Sequence, residues 1–331
     1  MGRGWIRLLI FTWGLSLTAP ASAIDKITVG YGSIGGGMWP LVVAQKKGML
    51  ARNGIDATFI FIEGGTRALT AMVSGEVSFL HVGGTEAINA ALGGADVVIL
   101  SSLVNTLSFD LIVTPEIQRA ENLKGKRLAI SRFGSTTDVG LKMALKKLGF
   151  NPNDAAYLQI GSNQARLNAM LSGQVQGALL NSDSHAPLAR KQGLHTLASL
   201  PDLGIEFLQL STVTSHAYIK SRPQIVRQYL RAQVEAIAWL RDERNRQEAL
   251  QILGQFLRNQ DGELLGNMYD SLVKKAFQPA PYATIGGAQN ILDQIAISNP
   301  KAKQAKAQDF IDDRLLRELE DSGYIQKLYR P

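Results

Sequence analysis

A chain of 331 residues is long enough for two domains with cores of their own, and 45% apolar with 19% charged residues is a globular composition, neither disordered nor collagen-like. The formal net charge is +7, but Lys and Arg are scattered among acids rather than clustered, which argues against a nucleic-acid partner and fits a mildly basic surface that attracts small anions. Cysteine is absent, which removes disulfides, thiolate metal ligands and any Cys nucleophile.

The first residues read as an export signal. Arg3 and Arg7 form a basic start, Leu8 to Leu17 an apolar run, and Ala21-Ser22-Ala23 a small-residue cleavage site, so residues 1–23 are expected to be removed. No Cys follows the run for lipid attachment, and no later segment reaches membrane-spanning length. The expected product is a free soluble exported protein, its net charge lowered from +7 to +5 by loss of the two arginines.

Ile27 to Tyr31 then predicts a strand, followed by Gly32-Ser33-Ile34-Gly35-Gly36-Gly37 and a helix from Pro40 to about Leu50. The glycine run lacks the spacing of a phosphate loop and reads as backbone that approaches a ligand closely. A strand over 57–62 ends in Glu63-Gly64-Gly65-Thr66 before a helix to Val73. A buried strand over 77–82 ends in Gly83-Gly84-Thr85 before a helix from Glu86 to Leu92, and 95–100 is another strand. Strands alternating with helices of about ten residues predict an α/β domain with a mostly parallel sheet.

The pattern then repeats. Leu69 to Val77 (LTAMVSGEV) is echoed by Leu167 to Val175 (LNAMLSGQV), 98 residues later. Val29–Met49 can be laid on Ile130–Phe150 at an offset of 101, and Val98–Leu103 on His195–Leu200. Three echoes in one order predict two lobes of like architecture rather than a solenoid. In the second, Ser131-Arg132-Phe133-Gly134-Ser135-Thr136-Thr137-Asp138 is a loop and first helical turn, with Ser135 and Asp138 spaced as an acidic variant of a capping box. The free N–H groups of a helix start suit an anion, and three hydroxyls with one guanidinium crowd this one.

Beyond Pro223 apolar stripes predict helices to the C-terminus, packed on the first lobe. The expected division is lobe 1 at 24–106 plus 213–331 and lobe 2 at 107–212, with crossovers near Leu103–Leu111 and Leu210–Tyr218 as the hinge. Four loops at strand ends (Gly30–Gly37, Ser131–Asp138, Gly83–Thr85 and Asn181–Asp183) would then surround one cleft.

The signal, Gly30-Tyr31-Gly32-Ser33, Glu63-Gly64-Gly65-Thr66, Ser74-Gly75-Glu76-Val77, Asn122-Leu123-Lys124-Gly125-Lys126, the strand–Ser–helix at Ser131–Thr137, and the C-terminal Asp309–Asp312 and Leu319–Tyr324 segments together carry a resemblance. The chain resembles the periplasmic substrate-binding proteins of ABC importers of the nitrate, sulfonate and taurine type, which share a fold with thiamine-pyrimidine precursor-binding proteins. The resemblance implies a two-lobed type II clamshell, each lobe a mostly parallel sheet flanked by helices, with a helical C-terminal tail. It implies a monomer that captures a small anionic or zwitterionic molecule (sulfonate-, taurine-, nitrate- or carboxylate-like) and delivers it to an inner-membrane permease, without cofactor, metal or nucleic acid.

The implied ligand-binding residues are Ser33, Ile34, Trp39, Gly65, Thr66, Gly84, Thr85, Ser131, Arg132, Gly134, Ser135, Thr136, Asn181 and Asp183. Arg132 would pair with a carboxylate or sulfonate, and Trp39 would stack on a flat ligand or pack in its lobe. Asp183 would read an amine or cap a helix, and in the cleft it would favour a zwitterion or a non-anionic ligand. His81, His185, His195 and His216 lack metal-ligand spacing, no G-x-S-x-G is present, and Ser135 has no His nearby in sequence. Two alternatives share the cleft: a sensor module, and an enzyme like the thiamine-pyrimidine synthases. Those enzymes are cytosolic and associated with a Cys-rich motif, so export and the lack of Cys set the second aside.

Overall fold

The computed structural model describes residues 24–330; the expected export signal at 1–23 lies outside the described residues. Ten strands are β1 (Asp25–Tyr31), β2 (Ile55–Phe61), β3 (Phe79–Val82), β4 (Val98–Thr106), β5 (Phe109–Val113), β6 (Arg127–Ile130), β7 (Ala156–Gln159), β8 (Gly177–Asn181), β9 (His195–Ser199) and β10 (Glu206–Thr214). The helices between them are α1 (Trp39–Lys46), α2 (Met49–Arg52), α3 (Gly65–Val73), α4 (Gly84–Leu92), α5 (Thr136–Lys147), α6 (Asn163–Leu171) and α7 (His185–Lys191).

The strands form two five-stranded sheets, ordered β2-β1-β3-β10-β4 and β7-β6-β8-β5-β9. In the first, β1 runs parallel to β2 and β3, and β10 antiparallel to β3 and β4. In the second, β6 runs parallel to β7 and β8, and β5 antiparallel to β8 and β9. The two orders superimpose position for position, so the repeat in the sequence is a repeat in topology. The helices that carry its strongest echo, α3 and α6, each hold 9 residues. Both sheets are mixed because one antiparallel strand sits fourth in each. Only Leu107 and Ser108 separate β4 in the first sheet from β5 in the second. The return expected at 212–213 falls inside β10, which pairs only within the first sheet, so we propose that the second crossing lies ahead of Glu206.

The C-terminal helices are α8 (His216–Ser221), α9 (Pro223–Arg241), α10 (Arg246–Leu257), α11 (Gly262–Met268), α12 (Ile285–Ile295), α13 (Arg314–Asp321) and α14 (Tyr324–Lys327). Successive turns of α9 bury Val226, Tyr229, Leu230, Val234 and Ile237 in one core with Trp39, Leu41 and Phe79 of the first lobe. Tyr229 stacks on Phe79 at 4.1 Å between ring centroids, and its hydroxyl meets His81 Nε2 at 2.8 Å. Burial lowers the His81 pKa to about 3, so this histidine is a neutral core residue. No helix among the described residues is long and apolar enough to cross a membrane.

Candidate ligand-binding cleft

A cavity of about 520 Å³ opens where the carboxyl ends of the parallel strands of both sheets meet, a volume within the ~300–1,000 Å³ of small-molecule sites. Its walls come from the loops after β1, β2, β3, β6, β7 and β8, with Ser108 between β4 and β5, Gln209 of β10, and Leu210, Leu257, Leu264 and Leu272 behind. The Ser108 N–H donates to Gln209 Oε1, so the link between the sheets is tied to β10.

The loop after β1 is made for close approach. A Cβ on Gly35 would stand 2.8 Å from Asn181 Nδ2, and one on Gly36 would stand 2.9 Å from Asp183 Oδ2. Asn181 ends β8 and Asp183 follows it in the other lobe, while the Gly36 Cβ would also stand 2.5 Å from Leu272 and 2.7 Å from Met268 of its own lobe, so absent side chains let this loop pack against both.

Asp183 faces this cavity. Its Oδ1 is shut from solvent and has no hydrogen-bond partner among the described residues. Burial raises its carboxyl from 3.8 to about 6; a hydrogen bond from Ser184 opposes that rise and the nearby charge of Asp110 adds to it. Glu63 and Glu86 also line the cavity. The basic side chains on the wall are Arg166 and His185. Burial, and then the charge of Arg166, lowers His185 to about 4 and leaves it neutral at pH 7. Arg166 is 2% exposed and anchors its own lobe: Nε donates to Leu179 O at 3.1 Å, Nη2 to Asn163 Oδ1 at 2.9 Å, and Nη1 to Gly161 O. Three of its five N–H groups are thus engaged. Desolvation lowers its pKa to about 10, and it stays charged.

At the β6–α5 junction Ser135 is the N-cap, accepting from Asp138 N at 3.4 Å. Its hydroxyl is also bonded to Ser131 Oγ at 2.8 Å and lies 3.0 Å from Thr137 Oγ1, while Ser131 N–H donates to Thr137 Oγ1 at 2.8 Å. Asp138 turns back to accept from Gly134 N at 2.9 Å. The hydroxyls that look like a ligand cradle in the sequence largely satisfy one another. Thr136 alone among the three successive hydroxyls at 135–137 reaches across: its N–H and Oγ1 donate to Glu86 in the other lobe at 3.0 and 2.8 Å.

Of the fourteen expected site residues, Ser33, Ile34, Gly65, Ser131, Thr136, Asn181 and Asp183 line the cavity. The others stand off its wall. Trp39 is fully buried in the first lobe's core, edge-on to Tyr269, with Nε1 donating to Ala249 O at 3.2 Å, so it packs rather than stacks on a ligand. Thr85 is buried within its own lobe, and Gly84 starts α4 against Leu208. Ser135 and Gly134 build the α5 cap, Thr66 is exposed in the first turn of α3, and Arg132 lies beside Gly64.

Sequence reading missed Phe61, Glu63, Glu86, Ser162, Asn163 and Arg166, which all line the cavity. The repeat held the signal for two of them, because an offset of 98 places Gly64-Gly65 on Ser162-Asn163. Glu86 gave none, being an ordinary acid in a first helical turn.

YtlA of Bacillus subtilis (strain 168), named as a candidate binding protein, is 24% identical over 207 residues, which cover 61% of this chain and 62% of that relative, less than two thirds of its length. Among solved structures, the alkanesulfonate-binding protein SsuA from Xanthomonas axonopodis pv. citri superimposes with a TM-score of 0.68 at 21% identity, over 90% of this chain and 98% of that one. The periplasmic nitrate-binding protein NrtA from Synechocystis PCC 6803 gives 0.72 at 13% identity, over 93% and 91%. These likenesses establish the two-lobed periplasmic-binding fold. A family model described as NMT1/THI5 like matches residues 37–246, well over half of the chain, and this protein belongs to that family.

Proposed function

We propose that this protein is the extracytoplasmic solute-binding component of an ABC importer, and that its cleft takes a small organic molecule presenting an N–H or cationic group to Asp183. The unpartnered Asp183 Oδ1, facing the cavity, carries this reading: a buried acceptor without a donor is costly, and a ligand donor relieves it. Ile34, Phe61, Leu188 and Leu257 offer an apolar wall for the body of the molecule. The two N–H groups left on Arg166 would donate to an anionic end, so a zwitterion satisfies both charges. A purely anionic solute would face the carboxylates of Asp183 and Glu63. The protein binds and releases rather than transforms; the names of the alkanesulfonate-, nitrate- and candidate binding proteins it is similar to support that reading. The expected place is the periplasm, and the expected partner is an inner-membrane permease.

The test is a thermal-shift screen of matched pairs: taurine against ethanesulfonate, benzamidine against benzoate, and an aminopyrimidine against pyrimidine. The amine- or amidine-bearing member should raise the melting temperature, because a ligand that binds only the folded state stabilises it. Mass spectrometry after incubation should return the compound unchanged. Stabilisation by the anions alone would overturn the ligand class, and turnover would overturn the binding role.

A further inference from the structure

We propose that Glu86 is the resident occupant of the anion seat at the start of α5: offered from one lobe to the helix of the other, its carboxylate closes the cleft and denies that seat to an anionic group of any solute. A helix start concentrates unsatisfied N–H groups and positive potential, and the sequence places hydroxyls there as well. The structure fills it from within. Glu86 is 6% exposed and takes both the N–H and the hydroxyl of Thr136, the first residue of the 12-residue α5. One turn further along α4, Asn89 Nδ2 donates to Gly134 O at 3.0 Å, so a single face of α4 grips the opposite lobe twice.

The fit around this contact is tight. A Cβ on Gly83 would stand 1.8 Å from Thr136 Oγ1 and 2.6 Å from Glu86 Oε2, and a Cβ on Gly65 would stand 2.4 Å from Glu86 Oε1. Gly83 has φ −68 and ψ 150, which any residue adopts, so no backbone demand explains a glycine there. The missing side chain is what allows the other lobe to dock. Glu86 thus acts both as a latch between two rigid bodies and as a selectivity element, discriminating by occupying donors rather than by presenting a clash. This assignment does not depend on what Asp183 binds.

The experiment uses the mature protein, Glu86→Ala and Glu86→Gln, with methanesulfonate and sulfate as probes against sodium chloride at matched ionic strength. In calorimetry and thermal shift the wild type should show no specific response to either anion. Glu86→Ala should bind methanesulfonate at least roughly tenfold more tightly than the wild type, with Glu86→Gln between them, and adding Thr136→Val to Glu86→Ala should remove most of the gain. By small-angle X-ray scattering Glu86→Ala without anion should be more extended than the wild type, and methanesulfonate should restore the compact form. Wild-type binding as tight as that of Glu86→Ala would overturn the proposal. So would a folded Glu86→Ala that gains no anion binding, or one as compact as the wild type throughout. Should Glu86→Ala fail to fold by circular dichroism, Glu86→Gln decides by the same two readouts.

Discussion

The loops after β1 and β6 hold the same place in the repeat and do opposite things. In the first, Gly35, Gly36 and Gly37 lead into a helix with no side-chain cap, and the bare backbone lets Asn181 and Asp183 of the other lobe come close. In the second, Ser131, Ser135 and Thr137 bond one another, and the remaining donors at 136 go to Glu86. A duplicated backbone path therefore does not duplicate a binding role. Side chains decide whether free donors face a solute or are taken up by the protein.

The largest expected effect breaks the first loop's footing. Trp39→Ala empties a fully buried site behind it and should cost ~3–5 kcal/mol in urea unfolding. Next, Asp183→Asn keeps the shape of the partner across the glycine loop but removes its charge, and should weaken an amine-bearing ligand by ~2–3 kcal/mol in calorimetry. Gly83→Ala should wedge the second loop from the first lobe through Thr136, favouring the open form by ~1–3 kcal/mol, read as an increased radius of gyration. Because the strain is relieved by opening, its unfolding midpoint should move less than that of Trp39→Ala. The smallest effect is that of Ser135→Ala, which removes a cap from α5 and should cost about 1 kcal/mol of stability with ligand affinity unchanged. A loss of affinity there would return the hydroxyls to the binding site.

Acidity sharpens the same contrast. The folded protein holds the Asp183 proton more tightly than the unfolded chain does, with a pKa raised from 3.8 to about 6. The ligand-free protein therefore loses this part of its stability as pH rises from 3.8 to about 6, and regains it on acidification. Affinity for a cationic group should run the other way, falling as pH drops below about 6 and the carboxyl becomes protonated. In Asp183→Asn both dependences should flatten.

The architecture was legible because periodicity and repetition are properties of the chain itself. The echo between Leu69–Val77 and Leu167–Val175 announced two like units, and each echo falls on matching elements of the two sheets. The mixed character of the sheets was not legible, since Leu103–Leu111 and Leu210–Tyr218 read as crossovers and the direction of β5 and β10 is set by partners far away in sequence. In the cleft, loops were easier to foresee than side-chain directions. The backbone at Gly65, Ser131 and Asn181 is where the strand ends place it, whereas Trp39 turned into the core and Ser135 into its own cap. Glu86 stayed hidden because its meaning depends on a helix 50 residues away.

The central claim is that Asp183 holds a donor group of the captured solute. Calorimetric titration of the most stabilising amine-bearing compound of the screen into wild type and Asp183→Asn, at a pH well below and well above 6, tests it most directly. Strong binding is expected only for the wild type at the higher pH, with the amine-free counterpart inert throughout. Equal affinity in the two proteins at both pH values would contradict it.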